Sequence, residues 1–250
     1  MLNSPLLIAR SLLFNLCYFF WSLLASLIFA PLFLISSRAS LLSGKPWALG
    51  VLLLARIICG ITYEIRGREH ISKTPVIYAS KHQSAWDTMI FLVLFKPCPA
   101  YVLKRELLRI PFWGWYLWRM KMVAIDRSGK ASSMKQMVKD SKDVMASGRS
   151  VVIFPEGTRT RAGEAGEHHP GVVALYSFLK VPVVPVALNS GVVWARDAFI
   201  KKPGHIVLEF LPAIPAGLDK ENFSRQLHEA IESNSMRLYT QAHNAHHSPA

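Results

Sequence analysis

From Ser11 to Ser37 the chain carries no charged side chain, and Arg10 is the only one before that run. The segment SLLFNLCYFFWSLLASLIFAPLFLIS is aliphatic and aromatic throughout. About 20 apolar residues in a helix cross the hydrocarbon of a bilayer, so this run is long enough to span one. The competing reading is a cleaved leader. It calls for a shorter apolar region ending in a small-residue cleavage site, and it ranks second. Pro31 is positioned to kink or end the helix. A second apolar stretch, PWALGVLLLARIICGITYEI, is interrupted by Arg56. It suits an interfacial helix, or a partner for the first segment in a hairpin that dips into one leaflet. Arg38, Lys45, Arg56, Arg66, Arg68 and Lys73 follow the first segment, against Arg10 before it. That bias puts the downstream part of the chain in the cytoplasm.

Composition supports contact with a membrane. Half of the 250 residues (51%) are hydrophobic, yet 29 basic residues against 16 acidic ones leave a net charge of +13. That surplus suits anionic lipid headgroups or phosphorylated ligands, and the apolar N-terminus argues against nucleic acid. Cys17, Cys59 and Cys98 lie far apart in apolar sequence. They read as packed, reduced thiols and not as a disulfide or zinc framework.

From about Ile61 short apolar runs alternate with amphipathic stretches. Strands are predicted at 76–80 (VIYAS), 100–104 (AYVLK), 122–126 (MVAID), 151–155 (VVIFP), 181–188 (VPVVPVAL) and 206–211 (IVLEFL). Helices are predicted between them at 87–95, 106–118, 132–146, 172–179 and 222–242. Such alternation implies an α/β fold with helices on the faces of its sheet. The aromatic segment IPFWGWYLW, 110–118, has basic neighbours and reads either as a core helix or as a face that meets lipid.

Two segments carry chemistry. In HQSAWD, His82 and Asp87 are five apart, a spacing that does not share one helix face. They meet only if His82 lies in the loop after VIYAS and Asp87 in the first turn of the next helix. The carboxylate could then fix the imidazole tautomer while the other ring nitrogen acts as a base. On the motif alone, a capping box closed by Asp87 has the stronger claim. Ser84 is not in a nucleophile elbow. In FPEGTR, Gly157 permits a tight turn and Arg159 can grip a phosphate in bidentate fashion. Turn N–H groups can add an anion nest, and a Glu156–Arg159 surface ion pair is the alternative.

Four segments in one order, HQSAWD, VAIDR (Val123 to Arg127), FPEGTR and VPVVPVAL, resemble the motifs of the glycerolipid acyltransferases, most nearly the bacterial 1-acyl-glycerol-3-phosphate acyltransferase family. The resemblance covers roughly 63–212. It implies a mixed, mostly parallel α/β sheet flanked by helices, with an N-terminal hydrophobic helical anchor. By this resemblance the chain divides into membrane-anchoring helices (1–60), a catalytic domain (61–215) and a C-terminal helix and tail (216–250). The localisation implied is the inner membrane, with the catalytic domain facing the cytoplasm.

Roles follow from the resemblance residue by residue. His82 would deprotonate the free hydroxyl of lysophosphatidate and Asp87 would orient it. Lys104, Arg127 and Arg159 would hold the acceptor's phosphate, and Glu156, Gly157 and Thr158 would shape the acceptor site. Pro182 and Pro185 would mark a segment beside the acyl chain or its carrier. The donor implied is acyl-CoA or an acyl carrier protein. No cofactor and no metal are implied, because a thioester is already activated. The departure is EHHPG, where the family often has an aromatic–Lys pair before Gly171; His168 and His169 stand there instead. Rival readings are a sister acyltransferase with another lysolipid acceptor, such as a lyso-ornithine lipid, a hydrolase, and a non-catalytic protein binding anionic lipid.

Overall fold

The computed structural model of the chain describes residues 4–126 and 130–245. The apolar N-terminus forms a helical hairpin. Helix α1 (Pro5–Ile28) is capped by the Ser4 side chain at the N–H of Leu7. The chain breaks at Phe29 and restarts as the short α2 (Ala30–Ile35), which begins with Pro31 in its first turn. There a proline costs nothing, since the N–H it lacks has no intrahelical partner anyway. Helix α3 (Ser37–Cys59) runs back along α1. Reciprocal bonds clasp the pair: Trp21 Nε1 donates to the Trp47 carbonyl at 2.9 Å and Trp47 Nε1 to Ser22 Oγ at 3.1 Å. Arg10 Nε donates to the Ile58 carbonyl, a cation at the negative end of α3. Both α1 and α3 are long and apolar enough to cross a membrane.

The second apolar stretch is therefore two elements. Gly60, with φ of 70°, closes α3, and ITYEIR continues as strand β1 (Ile61–Arg66). The remaining strands are β2 (Ile77–Ser80), β3 (Ala100–Lys104), β4 (Val123–Ile125), β5 (Val151–Ile153), β6 (Val183–Leu188) and β7 (Gly204–Phe210). They form one seven-stranded sheet in the order β1-β7-β6-β2-β5-β3-β4. Every pair is parallel except β6 with β7. The central strands are buried on both faces, which is why they read as unbroken Val/Ile runs.

Helices α4 (Trp86–Leu94), α5 (Trp113–Arg119), α6 (Lys130–Ala146), α7 (Pro170–Leu179) and α8 (Lys220–Ala245) complete the fold. The helix predicted over 106–118 is broken. A 3-10 turn at Arg105–Arg109 and helix α5 are separated by Pro111, whose missing N–H and ring forbid a continuous helix. Helix α5 lies against the hairpin: Tyr116 donates to the Ser26 carbonyl at 2.7 Å and Arg119 Nε to the Phe33 carbonyl at 2.9 Å. Phe112, Trp115 and Trp118 remain exposed, as do Leu12, Leu16, Phe19 and Leu23 of α1. Helix α8 packs on β6.

Candidate active site

The carboxyl ends of β2, β3, β4 and β5 open on one side of the sheet, where α/β folds bind ligands. A cavity of about 1200 Å³ lies there, floored by these strand ends and roofed by α1, α3 and α5. Its depth is apolar, with Ala25, Leu92, Leu103, Met120 and Met137 among its walls. Its polar lining includes His82, Lys104, Asp126, Thr158, Arg159 and His169.

Strand β2 ends at Ser80, so His82 falls in the loop and Asp87 in the first turn of α4. The two side chains meet, with Nδ1 of His82 3.0 Å from Asp87 Oδ2. That same oxygen accepts the N–H groups of Gln83 and Ser84 at 2.7 and 2.8 Å. The loop closure and the imidazole contact that the sequence offered as alternatives thus coexist on one carboxylate. Ser190 Oγ donates to the other oxygen, Oδ1, at 2.5 Å. Asp87 is fully buried and accepts from the Gln83 and Ser84 N–H groups and the Ser190 hydroxyl, an arrangement that assigns the proton of the imidazole to Nδ1 and leaves Nε2 the unprotonated ring nitrogen. Phe154 stacks on the ring at 3.9 Å and 18°, and Tyr101 stacks on Phe154 in turn. Burial drives the Tyr101 phenol well above its ordinary pKa, so it stays neutral.

The second motif turns immediately after β5. Gly157 takes φ of 64°, and its N–H bonds the Phe154 carbonyl at 2.9 Å. A side chain at that φ would be strained. Gly157, Thr158 and Arg159 line the cavity. Arg159 Nη2 is paired with Asp197 Oδ1 at 2.9 Å, and Arg196 Nη1 donates to the Arg159 carbonyl at 2.8 Å. Lys104, the last residue of β3, is exposed along the same cavity. Arg127 lies outside the described residues.

Three residues of the implied site do not line this cavity. Glu156 is buried and does not line the cavity. Its Oε2 accepts the His82 N–H at 2.9 Å, and its Oε1 accepts the Thr160 hydroxyl at 2.9 Å and forms an ion pair with the Lys81 ammonium at 2.5 Å. Pro182 and Pro185 do not line it either. Pro185 sits inside β6, paired with Ala79, and its carbonyl accepts the Leu211 N–H at 3.0 Å. A strand residue's N–H and C=O point the same way, so the missing donor faces β7 just past its end at Phe210. The ladder tolerates proline there.

Sequence reasoning missed Lys81, Ser190 and Glu232. Ser190 follows β6 and nothing local marks it. Lys81 directly continues a buried strand, which is a signal that it needs a buried anion, but its partners are remote in sequence. His168, singled out in EHHPG, has Nε2 3.3 Å from Glu232 Oε1. With His228 these two could offer a metal one ligand atom each, all within 4.8 Å of one another. An ion there would share Glu232 with the ammonium of Lys81, 2.6 Å away.

The family model described as Acyltransferase matches residues 62–189. A 1-acyl-sn-glycerol-3-phosphate acyltransferase of Pseudomonas aeruginosa is 36% identical over 222 residues, 89% of this chain and 85% of its own. The protein of the same name from Limnanthes douglasii is 29% identical over 182 residues, 71% of this chain and 64% of its own. Among solved structures, the 1-acyl-sn-glycerophosphate acyltransferase PlsC from Thermotoga maritima superposes with a TM-score of 0.73. It covers 92% of this chain and 97% of its own at 18% identity, a likeness of fold.

Proposed function

The chain belongs to the acyltransferase family, and from that premise we propose that it moves a fatty acyl group from an acyl thioester to the sn-2 hydroxyl of lysophosphatidate, giving phosphatidate. The observation that carries the reading is the His82–Asp87 pair at the wall of a cavity that is apolar in depth and lined on its polar side by Lys104 and Arg159. A lysolipid has the same division between chain and phosphate.

The mechanism is a direct transfer. His82 Nε2 takes the proton of the acceptor hydroxyl as its oxygen bonds to the thioester carbonyl carbon. Asp87 holds Nδ1–H and stabilises the imidazolium that forms. A positioned base of this kind contributes ~10²–10⁴-fold. The tetrahedral intermediate expels the thiolate, which takes the proton back from His82, so ester and free thiol leave and the enzyme is restored. No acyl-enzyme forms. The thioester is already activated, so the step requires neither a metal nor a covalent cofactor. Lys104 and Arg159 balance the phosphate, and Arg127 joins them by the family pattern.

Membrane attachment belongs to the same reading. The exposed apolar faces of α1 and α3 and the aromatics of α5 suit a lipid surface. The basic residues after α1 favour a catalytic domain on the cytoplasmic side of an inner membrane. Purified protein given lysophosphatidate and a labelled acyl thioester should form phosphatidate, and His82→Ala should lose the activity. Equal product from both proteins would sink the base assignment, and none from either would sink the acceptor. Acyl-CoA and acyl carrier protein run in parallel decide the donor.

A further inference from the structure

Behind the His82 loop, away from the cavity, three charged side chains are buried together. Lys81, Glu156 and Glu232 have side chains only 1%, 1% and 10% exposed. An ammonium has three donors and no acceptor. Lys81 Nζ donates to Glu232 Oε2 at 2.6 Å and to the Glu164 carbonyl at 3.1 Å, and it forms an ion pair with Glu156 Oε1 at 2.5 Å. Glu156 is equally committed. It spans the gap between that ammonium and the backbone N–H of His82. The His82 carbonyl is held from the other side by the N–H of Thr160 at 2.8 Å.

Both peptide groups of the proposed base are thus anchored to the turn after β5, and Lys81 fixes the glutamate that does half of the anchoring. Glu232 comes from α8, beyond the last residue of the family match at 189. Its Oε2 also accepts the Gly166 N–H at 3.3 Å. Stripped of one partner, a buried ion of this kind becomes strongly unfavourable and its neighbours rearrange.

We propose that Glu232 is a positioning residue for the His82–Asp87 dyad, acting through Lys81 and Glu156 on the backbone of His82. It touches no reacting atom. Its charge keeps Lys81 shared between α8 and the motif turn. Without that charge the ammonium is left with one anion in place of two, Glu156 follows its movement, and the imidazole loses its register against the hydroxyl it serves. The C-terminal helix thereby belongs to the catalytic apparatus. This rests on His82 being the base of the proposed reaction.

The test compares Glu232→Gln, which keeps the shape and removes the charge, with Glu229→Gln, an exposed glutamate on the same helix. Full-length proteins are assayed with lysophosphatidate and an acyl thioester. The imidazole resonances of His82, assigned by their absence in His82→Gln, are recorded in parallel by NMR. Glu232→Gln should lower kcat on the order of tenfold to a hundredfold, since small misplacements of a reacting group cost that much. Both KM values should stay within about twofold, and the His82 signal should shift. Glu229→Gln should match wild type. An unchanged kcat and signal, or a kcat loss no larger than the loss of folded protein, overturns the proposal. If Glu232→Gln does not fold, Glu232→Asp carries the test: it keeps the charge but draws it back from Lys81, so kcat should fall and the His82 signal shift, and wild-type values of both overturn the proposal. Wild-type inactivity toward lysophosphatidate would overturn the proposed acceptor alone, and the His82 signal would then decide for Glu232.

Discussion

Asp197 Oδ1 holds Arg159 Nη2 at 2.9 Å beside the cavity, where the proposed acceptor's phosphate would compete for the same guanidinium. Asp197 is two-thirds exposed, so the pair contributes little to stability, typically ~0–1 kcal/mol. Its consequence is for binding. Arg159→Ala should raise the acceptor KM by about tenfold or more, the worth of a charged hydrogen bond, and leave the donor KM nearly unchanged. Asp197→Ala should move the acceptor KM the other way, by less than about fivefold. Steady-state kinetics with each substrate varied in turn checks both. A donor KM that rises with the acceptor KM in Arg159→Ala would remove the phosphate assignment.

Asp87→Asn separates geometry from charge. An asparagine oxygen at the place of Oδ2 still accepts from His82, Gln83 and Ser84, and its amide can donate to Ser190. The loop should therefore persist, with no charge to stabilise the imidazolium. The expected result is a kcat lower by ~10²–10⁴ at nearly constant KM, comparable to the loss when a base lacks its orienting carboxylate. Circular dichroism and thermal unfolding check that the fold remains. Full activity would make Asp87 a helix-start residue only.

The central strands of this protein are legible because they are buried on both faces. Val151–Ile153 and Val183–Leu188 have no polar alternation to confuse. Strand β1 was hidden because Ile61 and Thr62 continue the apolar run of α3, and the break rests on the backbone of one glycine, Gly60. The pairing of His82 with Asp87 could be read as a condition on where a strand ends, since both lie in one short segment. Ser190 and Glu232 could not. They reach the motif from 103 residues beyond Asp87 and 151 beyond Lys81, and no local pattern encodes such a contact. The resemblance groups Glu156 with Gly157, Thr158 and Arg159 in the acceptor site; those three line the cavity, and the Glu156 side chain points behind them.

Gly166 offers a second way to disturb that buried carboxylate. A Cβ placed on it would overlap Oε1 and Cδ of Glu156. The obstacle cannot swing into solvent, because Glu156 is enclosed and bonded to Lys81, Thr160 and His82. Gly166→Ala should cost about 1–3 kcal/mol of stability, the usual penalty of overpacking. It should also lower kcat beyond what the loss of folded protein explains. Denaturant melts and initial rates on the same preparation check the pair of effects. Wild-type stability and rate in Gly166→Ala would mean that Glu156 can move without consequence for His82.

Acid should weaken the charge cluster in a predictable direction. Burial pushes the Glu232 carboxyl toward a higher pKa, but hydrogen bonds from His168 and Lys81, the Lys81 charge and the Gly166 N–H outweigh it, and the net shift is downward. The folded group therefore holds its charge at a pH where the unfolded chain, titrating near the ordinary carboxyl value of 4.5, already takes up a proton. Stability then falls as pH falls, because the unfolded state binds more protons. The contribution of Glu232 is present in full above that ordinary value and is lost as pH drops through the lower folded value. Denaturation midpoints for wild type and Glu232→Gln should differ most near neutral pH and converge in acid, as wild type alone loses this contribution. A gap that stays constant, or widens, as pH falls from neutral to well below the ordinary carboxyl value would mean that the Glu232 charge does not hold the cluster together.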